Sequence, residues 1–457
     1  GLDGGFRAAL IAEFERLHPA NGGGGDRRNV LVLDATAART ALNGRPSVDD
    51  ENATTWFNDV EARHDLVILI AEAGNDDWSR KAVRQADLVL CVADSADRSV
   101  ATEPTALERF AGGVHRARAL WLVLLRPRDT EPSGTRAWID ARSWIGQHHH
   151  VRPGDAGDIA RLARFVSGRA FGLVACGGGA FCPSHIGVYE ALGEAGVVID
   201  AFGGTSGGAA MAAAFAGGLS ADEISEATED IFVRRRAMRR WTLPRYSLLD
   251  HTVLEAALKE HYTDIDIADL PLPFFAVSTN LSRHEPVIHR SGPLWEAIRA
   301  SSAIPALLPP VITRAGDMLV DGCLVDNVPV AAMHDLKLGP NIVVDFLVPT
   351  LDRIERPDCD LPQRGELAWR SLTAAGRRRL PAGPSPQEVL MRGLMLNASE
   401  VRRRLAPGDL LIEVPMPDSA SHLDWHLHAE LRRLAHAFTR EALAGFAAEG
   451  RLGPASP

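Results

Sequence analysis

The chain has 457 residues, 46% hydrophobic and 24% charged, a composition that can fill about two or three domain cores and excludes a disordered protein. Its 49 basic and 59 acidic residues give a formal net charge of −10, so there is no global electrostatic case for binding nucleic acid. No apolar run approaches the roughly 20 residues of a membrane-spanning helix and no secretory leader is visible. Five cysteines without regular close pairing read as reduced thiols of a cytoplasmic protein.

Residues 1–150 read as a separate, Rossmann-like α/β unit. Asn29 to Asp34, Leu66 to Ala71, Leu88 to Ala93 and Ala119 to Leu125 are short apolar runs with amphipathic stretches between them, the pattern of a small parallel sheet. The glycines at 22–25 read as a flexible loop, because no G-x-x-x-x-G-K-[ST] pattern accompanies them. His148-His149-His150 suggests a metal cluster, but adjacent residues of an extended segment point to opposite faces and no Cys or i, i+4 His completes a site. The expectation is a solvated segment, followed at 151–168 by a turn and a short helix from Ile159 to Val166.

From residue 169 onward the chain carries its chemistry. A strand, Phe171 to Ala175, runs into Gly177-Gly178-Gly179 and a helix from Ser184 to about Ala195, with Pro183 placed where a missing N–H is harmless. The next strand, Ile199 to Phe202, leads to Gly204-Thr205-Ser206-Gly207-Gly208 and an apolar helix starting at Ala209, the context that a G-x-S-x-G nucleophile elbow requires. If the two strands are parallel neighbours, both loops lie at one carboxyl edge of the sheet. The N–H groups of Gly177, Gly178 and Gly179 can then stabilise an oxyanion beside the Ser206 hydroxyl.

A capping box at Ser220 and Glu223 starts a helix running to about Phe232. Then come Arg234, Arg235, Arg236, Arg239, Arg240 and Trp241, a basic and aromatic segment suited to anionic headgroups, or equally to a solvated helix end. Exposed apolar residues around Leu307-Leu308-Pro309-Pro310 are a further candidate membrane contact. The run Met318 to Val320 reads as a strand ending in Asp321-Gly322, which puts a carboxylate at a strand terminus where it can take the serine proton. A core strand is expected from Asn341 to Val348, and the rest reads as helical and arginine-rich, with Asp424-Trp425 before a final amphipathic helix.

In these motifs, and in His185-Ile186-Gly187-Val188, Leu294 to Pro305 and Val325-Asp326-Asn327-Val328-Pro329, the chain resembles the patatin-like phospholipase family. It looks most like the bacterial relatives of neuropathy target esterase. The resemblance implies an α/β fold, a patatin-like three-layer α/β/α catalytic domain over 169–457 (motif core 169–335, helical part 350–457) with a smaller N-terminal α/β domain. It implies a Ser206–Asp321 dyad, a glycine-rich oxyanion loop, a lipid ester substrate, no metal or cofactor, and peripheral contact with the inner face of the membrane. The family pattern Gly-Gly-Gly-x-Arg/Lys-Gly is broken by Phe181 and Cys182, and Cys323 stands where the family has Gly or Ala. Two alternatives remain open: a catalytically impaired lipid-binding or regulatory protein of the same fold, and an α/β-hydrolase whose Ser-His-Asp triad draws on His426 or His428.

Overall fold

The computed structural model describes residues 4–19, 28–41, 51–72, 74–262, 264–348, 362–377, 386–394, 401–418 and 420–452. The glycines at 22–25 lie outside them. In the N-terminal half, β1 (Arg28–Leu33) and β2 (His64–Leu69) form a parallel pair, while β3 (Val89–Asp94), β4 (Leu120–Leu125) and β5 (Gln147–Val151) form a second parallel sheet. The expected single sheet is therefore hydrogen-bonded as two pieces. An apolar cluster that includes Val30, Leu66, Leu90, Val123 and Val151 nevertheless bridges both, packed under Phe6, Leu10 and Phe14 of the first helix.

The strand β5 corrects the reading of the three histidines. His149 and His150 are buried, not solvated. The extended backbone alternates its side chains between two faces. His148 and His150 each donate an Nε2–H to the Ala268 carbonyl at 2.9 Å, whereas His149 packs on Trp121 and Phe165 of the other face. Burial pushes His150 down to about 3, so its ring is neutral. Among the described residues no group of three His, Cys, Asp or Glu could hold a metal ion.

The second half is built on one mixed sheet containing β6 (Gly172–Ala175), β7 (Ala201–Thr205), β8 (Phe274–Asn280), β9 (Glu285–His289), β10 (Val311–Ile312), β11 (Met318–Asp321), β12 (Asn341–Leu347) and β13 (Leu410–Pro415). Its order is β10-β11-β8-β7-β6-β12-β13, with β9 added to β8. The segment from β8 through β13 is parallel, and β6, β7 and β8 are buried along their whole length. This is the signature of strands covered by helices on both faces. β13 corrects the expectation that everything after β12 is helical: Leu410, Ile412 and Val414 point into the core and alternate with half-buried neighbours, a period of two that six residues of an arginine-rich tail hardly advertise.

Helices Ser184–Glu194 and Gly207–Ala216 pack on one face of the sheet, and the last helix, His428–Ala448, lies against the first of them. That approach needs Gly187, where a Cβ would sit 2.0 Å from the Arg432 carbonyl. The helix expected after Ser220 forms with its capping box over Ala221–Thr228, then widens into a π-helical turn, Glu229–Arg234. No described helix is long and apolar enough to cross a membrane.

Candidate active site

Strand register brings Ser206 and Asp321 together. β8 pairs Val277 with Thr205 of β7 and, one residue on, Ser278 with Asp321 of antiparallel β11. Two strands that share only β8 as a neighbour thus end against adjacent residues of it. Ser206 Oγ donates to Asp321 Oδ2 at 2.6 Å.

Ser206 holds φ +56° and ψ −130°, a conformation a non-glycine residue rarely adopts and keeps only when its surroundings impose it. Its N–H donates to Ser301 Oγ at 2.8 Å, and that hydroxyl donates to the Val277 carbonyl at 2.6 Å, which ties the elbow to helix Leu294–Ser301 and to β8. Gly208 lets the elbow helix start close over β6: a Cβ there would meet the carbonyls of Cys176 and Ala175 at 2.3 and 2.5 Å.

Asp321 is fully buried. Its N–H donates to Ala303 O at 3.0 Å, its carbonyl accepts from Thr279 Oγ1 at 2.8 Å, and its Oδ1 accepts the Cys323 N–H at 3.0 Å. Burial raises its carboxyl to about 6, against the opposing hydrogen bonds from Ser206 and Cys323. A carboxylate with that proton affinity is a better base than an exposed one and is still ionised at neutral pH.

The glycine loop lies beside the serine, since β6 and β7 are parallel neighbours. Its three N–H groups are not equivalent. The Gly177 N–H donates to Asn327 O at 3.2 Å, and Asn327 Nδ2 returns a bond to Gly177 O at 3.3 Å, so the first expected oxyanion donor is consumed in holding the loop to the segment after Asp321. The Gly178 N–H faces the Cys182 sulfur, a weak acceptor. The Gly179 N–H has no hydrogen-bond partner among the described residues.

The residue that grips this loop comes from the far end of the chain. His422 accepts the Ala180 N–H on its carbonyl at 2.8 Å, and its Nδ1–H donates to Gly178 O at 3.1 Å. Its ring lies 4.5 Å from that of Phe181. Phe181, standing where the family has a cation, is buried between His422 and Phe346. Burial pushes the Cys176 and Cys182 thiols up, leaving both protonated. Sequence reasoning passed over Ser301, Asn327, Phe346 and His422. The first two fall in runs that carried the family resemblance, whereas nothing local marks His422.

No histidine partners Ser206 among the described residues. His185 is buried, donates Nε2–H to Cys176 O at 2.9 Å, and is pushed down to about 4 by burial. His426 is exposed and lies 3.9 Å from Asp424. A cavity of ≈ 400 Å³ opens beside Ser206, lined by apolar groups such as Met211, Ile304, Leu308 and Trp425. Phe232 stacks on Trp425, with ring centroids 3.6 Å apart.

The basic segment flanks this cavity. Arg234 and Arg235 pair with Asp230 at 3.5 and 2.6 Å, Arg235 also with Glu260, and Arg240 with Asp250 at 3.7 Å, whereas Arg236 and Arg239 are exposed with no ion pair among the described residues. Met238 turns inward to line the cavity, and Trp241, Leu243 and Tyr246 are exposed. Leu307 and Leu308 are buried in the core and supply no surface, whereas Pro309 and Pro310 beside them are half-buried.

Comparison with known proteins agrees with this architecture. Residues 173–334 match the model of the patatin-like phospholipase family, and residues 27–156 that of the Neuropathy Target Esterase family P-loop like domain. The chain therefore carries a patatin-like phospholipase domain preceded by a P-loop like domain of the neuropathy target esterase kind. It is similar to neuropathy target esterase sws of Drosophila melanogaster, with 28% identity over 352 residues, covering 69% of this chain and 24% of the relative. It is likewise similar to patatin-like phospholipase domain-containing protein 7 of Rattus norvegicus, with 28% identity over 408 residues, covering 82% of this chain and 29% of that protein. The chain thus spans about a quarter of the length of these relatives. Among solved structures, VipD from Legionella pneumophila aligns over 61% of this chain and 67% of its own, with a TM-score of 0.36 and 14% identity.

Proposed function

We propose that the chain is a serine acyl hydrolase that cleaves fatty-acyl esters of phospholipids or lysophospholipids. The observation that carries this reading is the 2.6 Å hydrogen bond from Ser206 Oγ to a fully buried carboxylate at one end of an apolar cavity. Ser206 Oγ attacks the ester carbonyl while Asp321 Oδ2 takes its proton. The N–H groups of Gly178 and Gly179 receive the oxyanion, and the departing alkoxide regains the proton from Asp321. Asp321 then takes a proton from water as the water attacks the acyl-enzyme carbonyl, and returns it to Ser206 Oγ as the C–Oγ bond breaks and the fatty acid leaves. The choice of a lipid ester rests on the apolar cavity and on the phospholipase and esterase names of the relatives.

We read residues 1–150 as the N-terminal unit, 151–168 as its link and 169–457 as the catalytic unit. Contact with a membrane is reversible and peripheral. Arg236 and Arg239, which flank the cavity-lining Met238 in sequence, and the exposed Trp241, Leu243 and Tyr246 suit an anionic lipid surface, each unpaired arginine adding about 1 kcal/mol there. Sedimentation with anionic liposomes should fall on replacing the five arginines with glutamine, and equal sedimentation would remove this segment from the membrane contact.

Turnover of short-chain nitrophenyl esters and of lysophosphatidylcholine above a Ser206→Ala control tests the reaction. Its absence on every ester favours the second reading, an impaired lipid-binding protein. That reading is motivated by Phe181, whose buried ring fills the place of the family's cation.

A further inference from the structure

The cavity beside Ser206 is not confined to the catalytic unit. It follows one face of the elbow helix, where the small residues Gly207, Ala210, Ala214 and Gly217 recur at intervals of three and four along the lining. At ~1.5 Å per residue these positions span roughly 15 Å. Leu254, Leu258 and Tyr262, four apart on helix Thr252–Tyr262, form the facing wall.

Topology fixes where the cavity leads. Ser206 follows the last residue of β7 and so sits at the carboxyl edge of the sheet. The elbow helix runs back from there toward the opposite edge. Ile265, Asp269, Leu270 and Pro271, which also line the cavity, come just before β8, a parallel neighbour of β7, and so lie at that opposite edge. There the lining passes to another part of the chain: Glu131, Pro132 and Ser133 of the N-terminal unit.

That loop is fastened in place. The N–H groups of Gly134 and Thr135 donate to the two carboxylate oxygens of Asp269 at 3.2 and 2.9 Å. One residue earlier, the Ala268 carbonyl accepts from both His148 and His150. Four hydrogen bonds from the N-terminal unit thus converge on Asp269, which lines the cavity's far end, and on Ala268 just before it. His148 and His150, which have no part in the chemistry at Ser206, hold this junction.

Building on the acyl-hydrolase reading, we propose that residues 131–133 of the N-terminal unit form the far wall of the acyl-chain site and set the chain length that the enzyme prefers. With a methylene taking about the ~30 Å³ of a water molecule in the liquid, a cavity of ≈ 400 Å³ holds roughly a dozen methylenes. A butyryl chain ends well short of this wall, whereas a palmitoyl chain reaches it.

The test fills the far end from the N-terminal side. Pro132→Trp and, at the exposed Glu131, Glu131→Trp are compared with the native full chain after circular dichroism shows each to be folded. The ratio of kcat/KM on nitrophenyl palmitate to that on nitrophenyl butyrate should fall roughly tenfold, the scale on which an apolar pocket discriminates chain length. An unchanged ratio in both folded variants overturns the proposal. Should the native chain cleave neither ester, the hydrolase reading fails, and the affinity for a fluorescent long-chain fatty acid decides instead. Weaker binding by the tryptophan variants keeps the wall, and equal binding removes it.

Discussion

Two turns face each other across the site, and different parts of the chain hold them. The elbow at Ser206 is fixed by neighbours in its own sheet: the ends of β7 and β11 on β8, and Ser301 behind them. The glycine loop has one tie to that framework, through Asn327, and hangs otherwise on His422, over two hundred residues away in sequence. The proposed nucleophile and base are thus built into strand register, which a slip would displace wholesale. The proposed oxyanion donors depend on whether a late segment docks. The first arrangement should be stiff and the second adjustable.

The largest expected effect lies on the stiff side. Ser206→Ala and Asp321→Asn should each lower kcat on a nitrophenyl ester by ~10³-fold or more, as removal of groups that act as a unit does elsewhere. Retention of more than a tenth of native kcat in Asp321→Asn would break the comparison, because it would leave the register-built pair without a function.

Acidification should separate the same pair from its surroundings. As the proposed base, Asp321 works ionised, and its carboxyl lies at about 6, so kcat/KM should fall about tenfold per pH unit below that value. Stability runs the other way. A carboxyl raised by burial favours the folded state below its unfolded pKa, and that contribution is lost as pH rises through about 6. Asp321→Asn should accordingly raise stability at pH 8, on the order of 1–3 kcal/mol, read from denaturant midpoints. A stability loss at pH 8 with an acid limb unmoved from that of an exposed carboxylate would show that burial does not tune this group.

Loosening the glycine loop should cost less. His422→Ala removes the ring bond to Gly178 O and the packing on Phe181, and should lower kcat by roughly tenfold while leaving labelling of Ser206 by a fluorophosphonate measurable. Equal losses from His422→Ala and Ser206→Ala would mean that the loop is as indispensable as the elbow. Asn327→Ala, which severs one side-chain bond between the two regions, should cost about 1–2 kcal/mol of stability with the smallest change in kcat. The readouts are chemical denaturation and single-turnover acylation.

The contrast also explains what could be read in advance. The elbow, the glycine run and the Asp-Gly turn are local patterns bounded by apolar strands, and the structure puts strands and turns at those places. Ser206 and Asp321 meet although 115 positions separate them. The three histidines were misjudged because a polar triplet resembles surface, whereas each second ring finds the same backbone acceptor in another part of the fold. β13 was missed because its alternation is short and its neighbours are rich in arginine. Leu307 and Leu308, a candidate membrane contact by sequence, fill the core instead, because nothing local in an apolar pair says which surface it will meet.

By itself the sequence determined the residue types that carry chemistry and the turns that present them, since a tight elbow, a glycine-lined entrance and a strand-terminal carboxylate are encoded within a few positions each. The tertiary structure alone decided which of the three glycine N–H groups stays unoccupied, what clamps the loop, and how far the cavity extends. Those depend on His422, Asn327 and the N-terminal residues 131–133 arriving from distant parts of the chain. Such contacts leave no periodic or local mark, because they are set by which surfaces meet when the separate units close on one another.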